Sequence, residues 1–338
     1  MIDIDKTEVD GRLLGDLENS SVWGSIGSTP LVDLSAIAPE PVRILGKLES
    51  ANPGGSIKDR VAQSMLRKAV LTGRITREST IVESSSGNTG IGLAMLCAVA
   101  GLRMTAVVDR RTTAAHLGLL RAYGARVVLV SEPDPVSGEF LPARLAKVRE
   151  ILASDSTAFW PDQYKNPAVL EAHTHGTMRE IAAQILTPPD YLYVPASTCG
   201  TLAGCSIFLR ENQWPTRLVA VDVQGSKIFC DHHSDTKRTL PGLGAPFEPP
   251  FRQLADVWRA EHVSESECVR SCNDLARTSG ILVGASSGGV ISAARRLASE
   301  SPSGSTHVLI LPDRGERYLD SVYASTDQVS SRERINHD

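Results

Sequence analysis

Lys47-Leu-Glu-Ser-Ala-Asn-Pro-Gly-Gly-Ser-Ile-Lys58-Asp-Arg60 joins the end of an apolar run to the start of a helical one. Upstream, Arg43–Glu49 has the short, largely aliphatic character of a strand, and downstream Ile57–Leu71 carries helical periodicity. Asn-Pro-Gly-Gly between them is a turn, so the stretch is one strand–turn–helix unit. Working outward, further strand candidates are 80–83, 104–109, 126–131, 191–195, 218–223 and 307–311. Helix candidates at 89–100, 114–123, 141–153, 168–185, 264–278 and 288–299 alternate with them. Several strands are apolar almost throughout, as strands covered on both faces are. The pattern predicts an α/β protein with largely parallel sheets.

At 338 residues the chain is long enough for about two domains at roughly 150 residues each. The likeliest change of domain lies near 155–166, giving a smaller α/β domain over 1–160 and a larger one over 161–338. Residues 231–251, rich in Pro, Gly and charge, are expected to form a long surface segment, and the polar C-terminal tail to be disordered. Lys plus Arg total 35 against 39 Asp plus Glu, a net charge of −4, which argues against general nucleic-acid binding. The longest apolar run, 91–101, has 11 residues, short of the roughly 20 a membrane span needs. Six irregularly spaced Cys do not make a disulfide framework, and no signal peptide is visible. These features predict a cytoplasmic protein.

Glycine-rich turns follow strand candidates at 84–90, 197–201 and 284–289. Such turns place helix N-termini, with their free N–H groups, at the carboxyl ends of strands, where anions bind. Singly, each is an ordinary βα turn. Neither a Walker A pattern nor GxGxxG after the first strand occurs, so nucleoside triphosphates and dinucleotides lose support. Lys58 is the odd choice in this set. The helix dipole disfavours a cation at a helix start and lowers its pKa, which suits an amine that must form a Schiff base. Cys268 and Cys272 lack the other ligands of a zinc site, His173 and His175 face differently, and His232-His233 has no ligand set nearby. No metal is expected.

Asn52-Pro-Gly-Gly-Ser-Ile-Lys58-Asp-Arg60 with Glu83-Ser-Ser-Ser-Gly-Asn88-Thr-Gly90 resembles the cysteine synthase group of fold type II pyridoxal-phosphate enzymes. The resemblance continues through Gln163-Tyr-Lys-Asn166-Pro, Ser197-Thr-Cys-Gly-Thr201 and Gly284-Ala-Ser286-Ser-Gly288, covering about 27–322 in the family order. It implies two doubly wound α/β domains of the tryptophan synthase β-like architecture, joined by a crossing segment at about 29–50. It also implies pyridoxal 5′-phosphate as cofactor, linked to the catalytic Lys58, and a homodimer. By the same resemblance Asn88 meets the cofactor's ring hydroxyl, Ser286 faces its pyridine nitrogen, and Ser197, Thr198, Cys199, Gly200 and Thr201 form its phosphate cup. Ser85, Ser86, Gly87 and Thr89 correspond to the loop for the substrate α-carboxylate, although one Ser could equally cap the helix. A neutral hydroxyl at Ser286 makes the ring a weaker electron sink, which favours loss of a β-leaving group over transamination.

Within the group, 107–110, 131–134, 143–148, 240–245 and 311–320 look closer to a branch that joins O-phospho-L-serine to L-glutamate on the way to 2,3-diaminopropionate, a precursor of siderophores and peptide antibiotics. Cysteine synthases usually carry a Gly-Asp-Gly-type turn where this chain has Asp313-Arg-Gly-Glu316, and Gly at the positions of Ser197 and Cys199. Both departures point away from sulfide. The branch makes Arg144, Gln163, Tyr164 and Ser197 candidates for the substrates. For Arg144 a solvated helix face competes with carboxylate binding, and for Arg314 and Arg317 surface ion pairs do. A cysteine synthase or O-phosphoserine sulfhydrylase is the alternative enzyme. A catalytically silent pyridoxal-phosphate protein is the alternative class.

Overall fold

The computed structural model describes residues 9–229 and 239–324. Two short helices, α1 (Gly11–Glu18) and α2 (Ser21–Gly24), precede the hairpin of β1 (Leu31–Asp33) and β2 (Arg43–Leu48). The chain then alternates: α3 (Lys58–Leu71), β3 (Thr80–Ser84), α4 (Asn88–Ala100), β4 (Arg103–Asp109), α5 (Ala114–Ala122), β5 (Arg126–Val130), α6 (Phe140–Ser154) and β6 (Ala158–Phe159). After α7 (Ala168–Ala172) and α8 (Met178–Gln184) come β7 (Tyr191–Pro195), α9 (Gly200–Glu211), β8 (Arg217–Val223) and β9 (Arg259–Val263). The described chain closes with α10 (Glu265–Ser279), α11 (Ala285–Ala298) and β10 (Thr306–Leu311).

Two sheets result. One is four-stranded and parallel, in the order β5-β4-β3-β6. The other has six strands in the order β1-β2-β10-β7-β8-β9, parallel except where β1 pairs antiparallel with β2. Right-handed βα crossovers bury both faces of such sheets, and the central strands show it: β7 and β10 are buried along nearly their whole length. Helix α4 (NTGIGLAMLCAVA) is apolar on nearly every side because it is buried from Thr89 to Cys97, and Gly101 ends it in the left-handed region at φ +66°. In α10 the boundary is polar: Ser264 and Glu267 close a capping box.

The departures from the sequence reading have local causes. The expected single helix over 168–185 is broken by a π-helical turn, His173–Thr177, between α7 and α8. There Thr174 donates to the carbonyl of Gly204 at 2.9 Å, and α9 lies so close that a Cβ on Gly204 would sit 2.7 Å from that of His173. Helix α11 begins at Ala285, three residues before the expected 288. Of the expected surface segment 231–251, the described part buries Leu243, Ala245 and Phe251. Its first residues lie outside the described residues, as do His232, His233 and the polar tail. No helix among the described residues is long and apolar enough to cross a membrane.

Candidate active site

The motif-bearing turns converge at the carboxyl ends of the strands. Behind β2 comes the 52–57 turn, behind β3 the 85–87 turn, behind β7 the 196–199 turn, and behind β10 Pro312 and Asp313. Ser56 and Asp313 form a β-bridge, and the amide of Ile57 donates to the carbonyl of Pro312 at 2.8 Å. The start of α3 is thereby fixed against the end of β10. A cavity opens there, at the strand ends where ligands of open α/β sheets bind. Lys58, Asn88 and Ser286 line it, together with Ser197, Thr198, Cys199 and Thr201.

Lys58 is the first residue of α3. Its ammonium pKa is lowered, chiefly by burial, with Asp313 pulling the other way. Desolvation acts in the same direction as the dipole expected at a helix start. Both favour a neutral amine. Thr198 and Thr201 flank the start of α9, whose first turn has N–H groups without partners inside the helix. Cys199 is the N-cap and sits at φ +61°, where Gly is the easier residue. Its thiol is buried and pushed up to about 12, so it is a loop residue without nucleophilic chemistry. His173 Nε2 lies 3.1 Å from Thr201 Oγ1, and its Nδ1 lies 3.1 Å from Thr177 Oγ1. Burial holds His173 neutral, so the π turn supports the cup with an uncharged imidazole.

Gly200 has no room for a side chain: a Cβ would stand 2.3 Å from Cγ1 of the buried Val169 on α7. Gly200→Ala should therefore cost roughly 1–3 kcal/mol, the range for overpacking a core. Because the strain falls on the first residue of α9, it should also loosen the cup. A lower thermal midpoint together with faster cofactor loss on dialysis is the expected result; an unchanged midpoint would show that α9 moves freely on α7.

The expected substrate residues Ser85, Ser86, Gly87, Thr89, Arg144, Gln163 and Tyr164 are not in the wall of that cavity but form a second group, joined to it in sequence through Asn88. Ser85 Oγ accepts from the amide of Gly90 at 2.9 Å, which makes it the capping serine. Ser86 Oγ accepts from Arg144 Nη1 at 2.9 Å, and Thr89 donates to Gln163 Oε1 at 2.7 Å. Gly87 is the N-cap of α4. Arg144 does not lie on a solvated helix face: its side chain is 11% exposed, and Nε lies 3.2 Å from Asp109 Oδ2 at the end of β4. Tyr164 packs over Phe247 with ring centroids 5.8 Å apart. Burial pushes its phenol up while Arg144 pulls it down, so the two share one electrostatic neighbourhood. Arg314 and Arg317 also differ from the expectation: they reach the carbonyls of Ser50 and Gly54 respectively, and Arg317 in addition reaches Asn88.

Two carboxyls inside the quoted motifs, Glu83 and Asp313, had no individual role in the sequence reading. Glu83 accepts from the amide of Ser84 at 2.9 Å and from Trp160 Nε1 at 3.0 Å, bracing the root of the substrate loop. Burial raises it to about 8. Asp313 lines the cavity and takes Tyr318 OH at 2.5 Å and Asn88 Nδ2 at 2.8 Å on one oxygen. Those roles depend on Trp160 and Asn88, partners brought in from other elements. Among the described residues no group of three or more His, Cys, Asp or Glu is placed to hold a metal.

Pyridoxal phosphate asks four things of a pocket: an amine for its carbonyl, a cup for its dianion, a donor near its ring oxygen and a group opposite its nitrogen. The cavity wall supplies a desolvated Lys58, hydroxyls and N–H groups at the start of α9, the amide of Asn88 and the hydroxyl of Ser286. The residues fit the group.

Comparison with known proteins agrees. A family model described as "Pyridoxal-phosphate dependent enzyme" matches residues 22–313, and that family binds pyridoxal 5′-phosphate. The chain is similar to the crystal structure of an O-acetylserine dependent cystathionine beta-synthase from Helicobacter pylori, at 32% identity and a TM-score of 0.83 over 90% of this chain and 99% of that one. It is similar to an O-ureido-L-serine synthase at 32% identity and a TM-score of 0.82, covering 92% of this chain and 99% of that one. A hydrogen sulfide-producing enzyme from Fusobacterium nucleatum matches at 29% identity and a TM-score of 0.81, over 89% of this chain and 98% of that one.

Proposed function

We propose that this chain, which belongs to the pyridoxal-phosphate dependent enzyme family, is an N-(2-amino-2-carboxyethyl)-L-glutamate synthase. It would catalyse a β-replacement in which the Cβ–O bond of O-phospho-L-serine breaks, phosphate leaves, and the α-amine of L-glutamate forms a Cβ–N bond and gives up a proton. A homodimer, a location in the cytoplasm and a pathway toward 2,3-diaminopropionate belong to the same reading.

The observation that carries it is Arg144. A guanidinium paired with Asp109 reaches Ser86 in the substrate loop, beside the Tyr164 phenol. Both substrates are multiply anionic, and a bidentate cation next to the loop is what a dicarboxylate second substrate requires; sulfide does not.

The residues divide the work. When bound, the cofactor supplies an electron sink for the carbanion at Cα. Lys58 Nζ, its pKa lowered by burial, takes the Cα proton and later returns it. The N–H groups at the start of α4 hold the α-carboxylate of the serine substrate. Thr198, Thr201 and the first turn of α9 hold the cofactor phosphate, and Ser286 gives the pyridine nitrogen a neutral partner. Arg144 and Tyr164 orient the incoming glutamate.

The test offers the holoenzyme O-phospho-L-serine with L-glutamate or with sulfide, reading product mass and released phosphate. The glutamate adduct with one phosphate per product is the expected result. Cysteine from sulfide and no glutamate adduct would make this an O-phosphoserine sulfhydrylase, and no response to any amino acid would make it a silent binder.

A further inference from the structure

Asn88 is caught from two sides. Arg317 Nη1 donates to its Oδ1, while its Nδ2 donates to Asp313 Oδ2 at 2.8 Å. The other end of the Arg317 fork donates to the carbonyl of Gly54 in the turn before Lys58, and Tyr318 OH donates to the same Asp313 oxygen at 2.5 Å. A side-chain amide can exchange its oxygen and nitrogen by half a turn of one torsion, and its neighbours decide which way it points. Here the flipped amide would set a donor against a guanidinium and an acceptor against a carboxylate. One orientation alone satisfies both neighbours. It sets Nδ2 beside Asp313 and Tyr318 and Oδ1 beside Arg317, on a residue that lines the cavity with Lys58.

We propose that Asp313 and Arg317 are positioning residues that lock the Asn88 amide, so that it offers the Lys58 cavity a donor and never an acceptor. The inference rests on the reading of that cavity as the pyridoxal-phosphate site. A ring oxygen that meets only a donor is stabilised in its deprotonated form, whereas a flipped Asn88 would stabilise the protonated form. The two forms absorb at different wavelengths, the deprotonated one at the longer. Asp313 is 3% exposed, and both side-chain bonds it accepts, from Asn88 and Tyr318, fall on Oδ2.

The test is the ratio of the two absorption bands of the lysine-bound cofactor, in holoenzyme at one pH. Arg317→Met and Asp313→Ala should each shift it toward the shorter wavelength by about fivefold, the worth of one ordinary hydrogen bond. The shared direction is the diagnostic. A purely through-space effect would move the two variants oppositely, because one removes a positive charge and the other a negative one. Opposite shifts, or no shift, would overturn the clamp. Should Asp313→Ala not fold, Arg317→Met decides alone: its shift must vanish in an Asn88→Ala background, and persistence there would overturn the proposal. A wild-type protein with no lysine-bound band would remove the pyridoxal reading and the clamp with it; a normal band with an unmoved ratio removes only the clamp.

Discussion

Lys58→Ala is expected to lose turnover by on the order of 10⁴-fold or more, and to lose every covalent link to the cofactor. A positioned general base contributes roughly 10²–10⁴-fold, and this amine is also the covalent anchor, so both contributions go together. The cavity gives the substitution its meaning. Burial already lowers the pKa of the amine, and Asp313, which favours the charged form, is outweighed. Thr198, Thr201, Asn88 and Ser286 remain in the wall, so the variant should still bind pyridoxal phosphate, as a free carbonyl compound. Borohydride reduction then separates the cases: wild type should yield one peptide bearing the reduced cofactor at Lys58, and the variant none. An adduct on another lysine, or turnover within tenfold of wild type, would take Lys58 out of the chemistry.

What the sequence made legible was local. The turn before Lys58, the loop before Asn88 and the serine-threonine turn before α9 can be read because their glycines and hydroxyls are contiguous and follow apolar strands. Strand β9 (Arg-Ala-Glu-His-Val) was not read, because it is an edge strand whose partner lies on one side only, leaving it free to carry charge. Helix α9 was not read as a helix since Gly200, Thr201 and Gly204 in its first turns have weak propensity; packing against α7 and the π turn decides it. The Asp109–Arg144 pair, the His173–Thr201 contact and the Asp313–Asn88–Arg317 cluster join residues that only tertiary structure brings together. Arg317 illustrates the limit. Its own neighbours in the chain suggest a surface cation, and only the docking of the 312–318 segment onto the 50–57 turn makes it an active-site one.

A buried charge cluster centres on Arg60, two residues past Lys58, and breaking it should have a large effect on stability. Arg60 donates to Glu49 at 2.7 and 3.0 Å and to Glu180 at 2.6 and 2.7 Å. Lys47 completes the set, reaching Glu180 at 2.8 Å, Gln184 at 2.9 Å and the carbonyl of Thr29 at 2.6 Å. The cluster ties β2, α3 and α8 together, so it holds the helix that carries Lys58. Glu49 and Lys47 are fully buried, and breaking such a network by removing one partner leaves an uncompensated charge, typically at about 3–5 kcal/mol. Arg60→Met, close in length and apolar, should lose that much in urea unfolding near pH 7 (about neutrality). Acid supplies the internal check. Burial alone would raise the Glu180 carboxyl, but hydrogen bonds from Arg60 and Lys47 outweigh it and hold the group at about 2, below its ordinary 4.5. A carboxyl depressed on folding stabilises fully above its unfolded value, and that stability drains as pH falls toward the folded one. The gap between wild type and Arg60→Met should therefore be widest above pH 4.5 and narrow steadily toward pH 2. A gap that stays constant across that window would mean Arg60 acts by packing, and one below about 1 kcal/mol at neutral pH would match the weak exposed pairs instead.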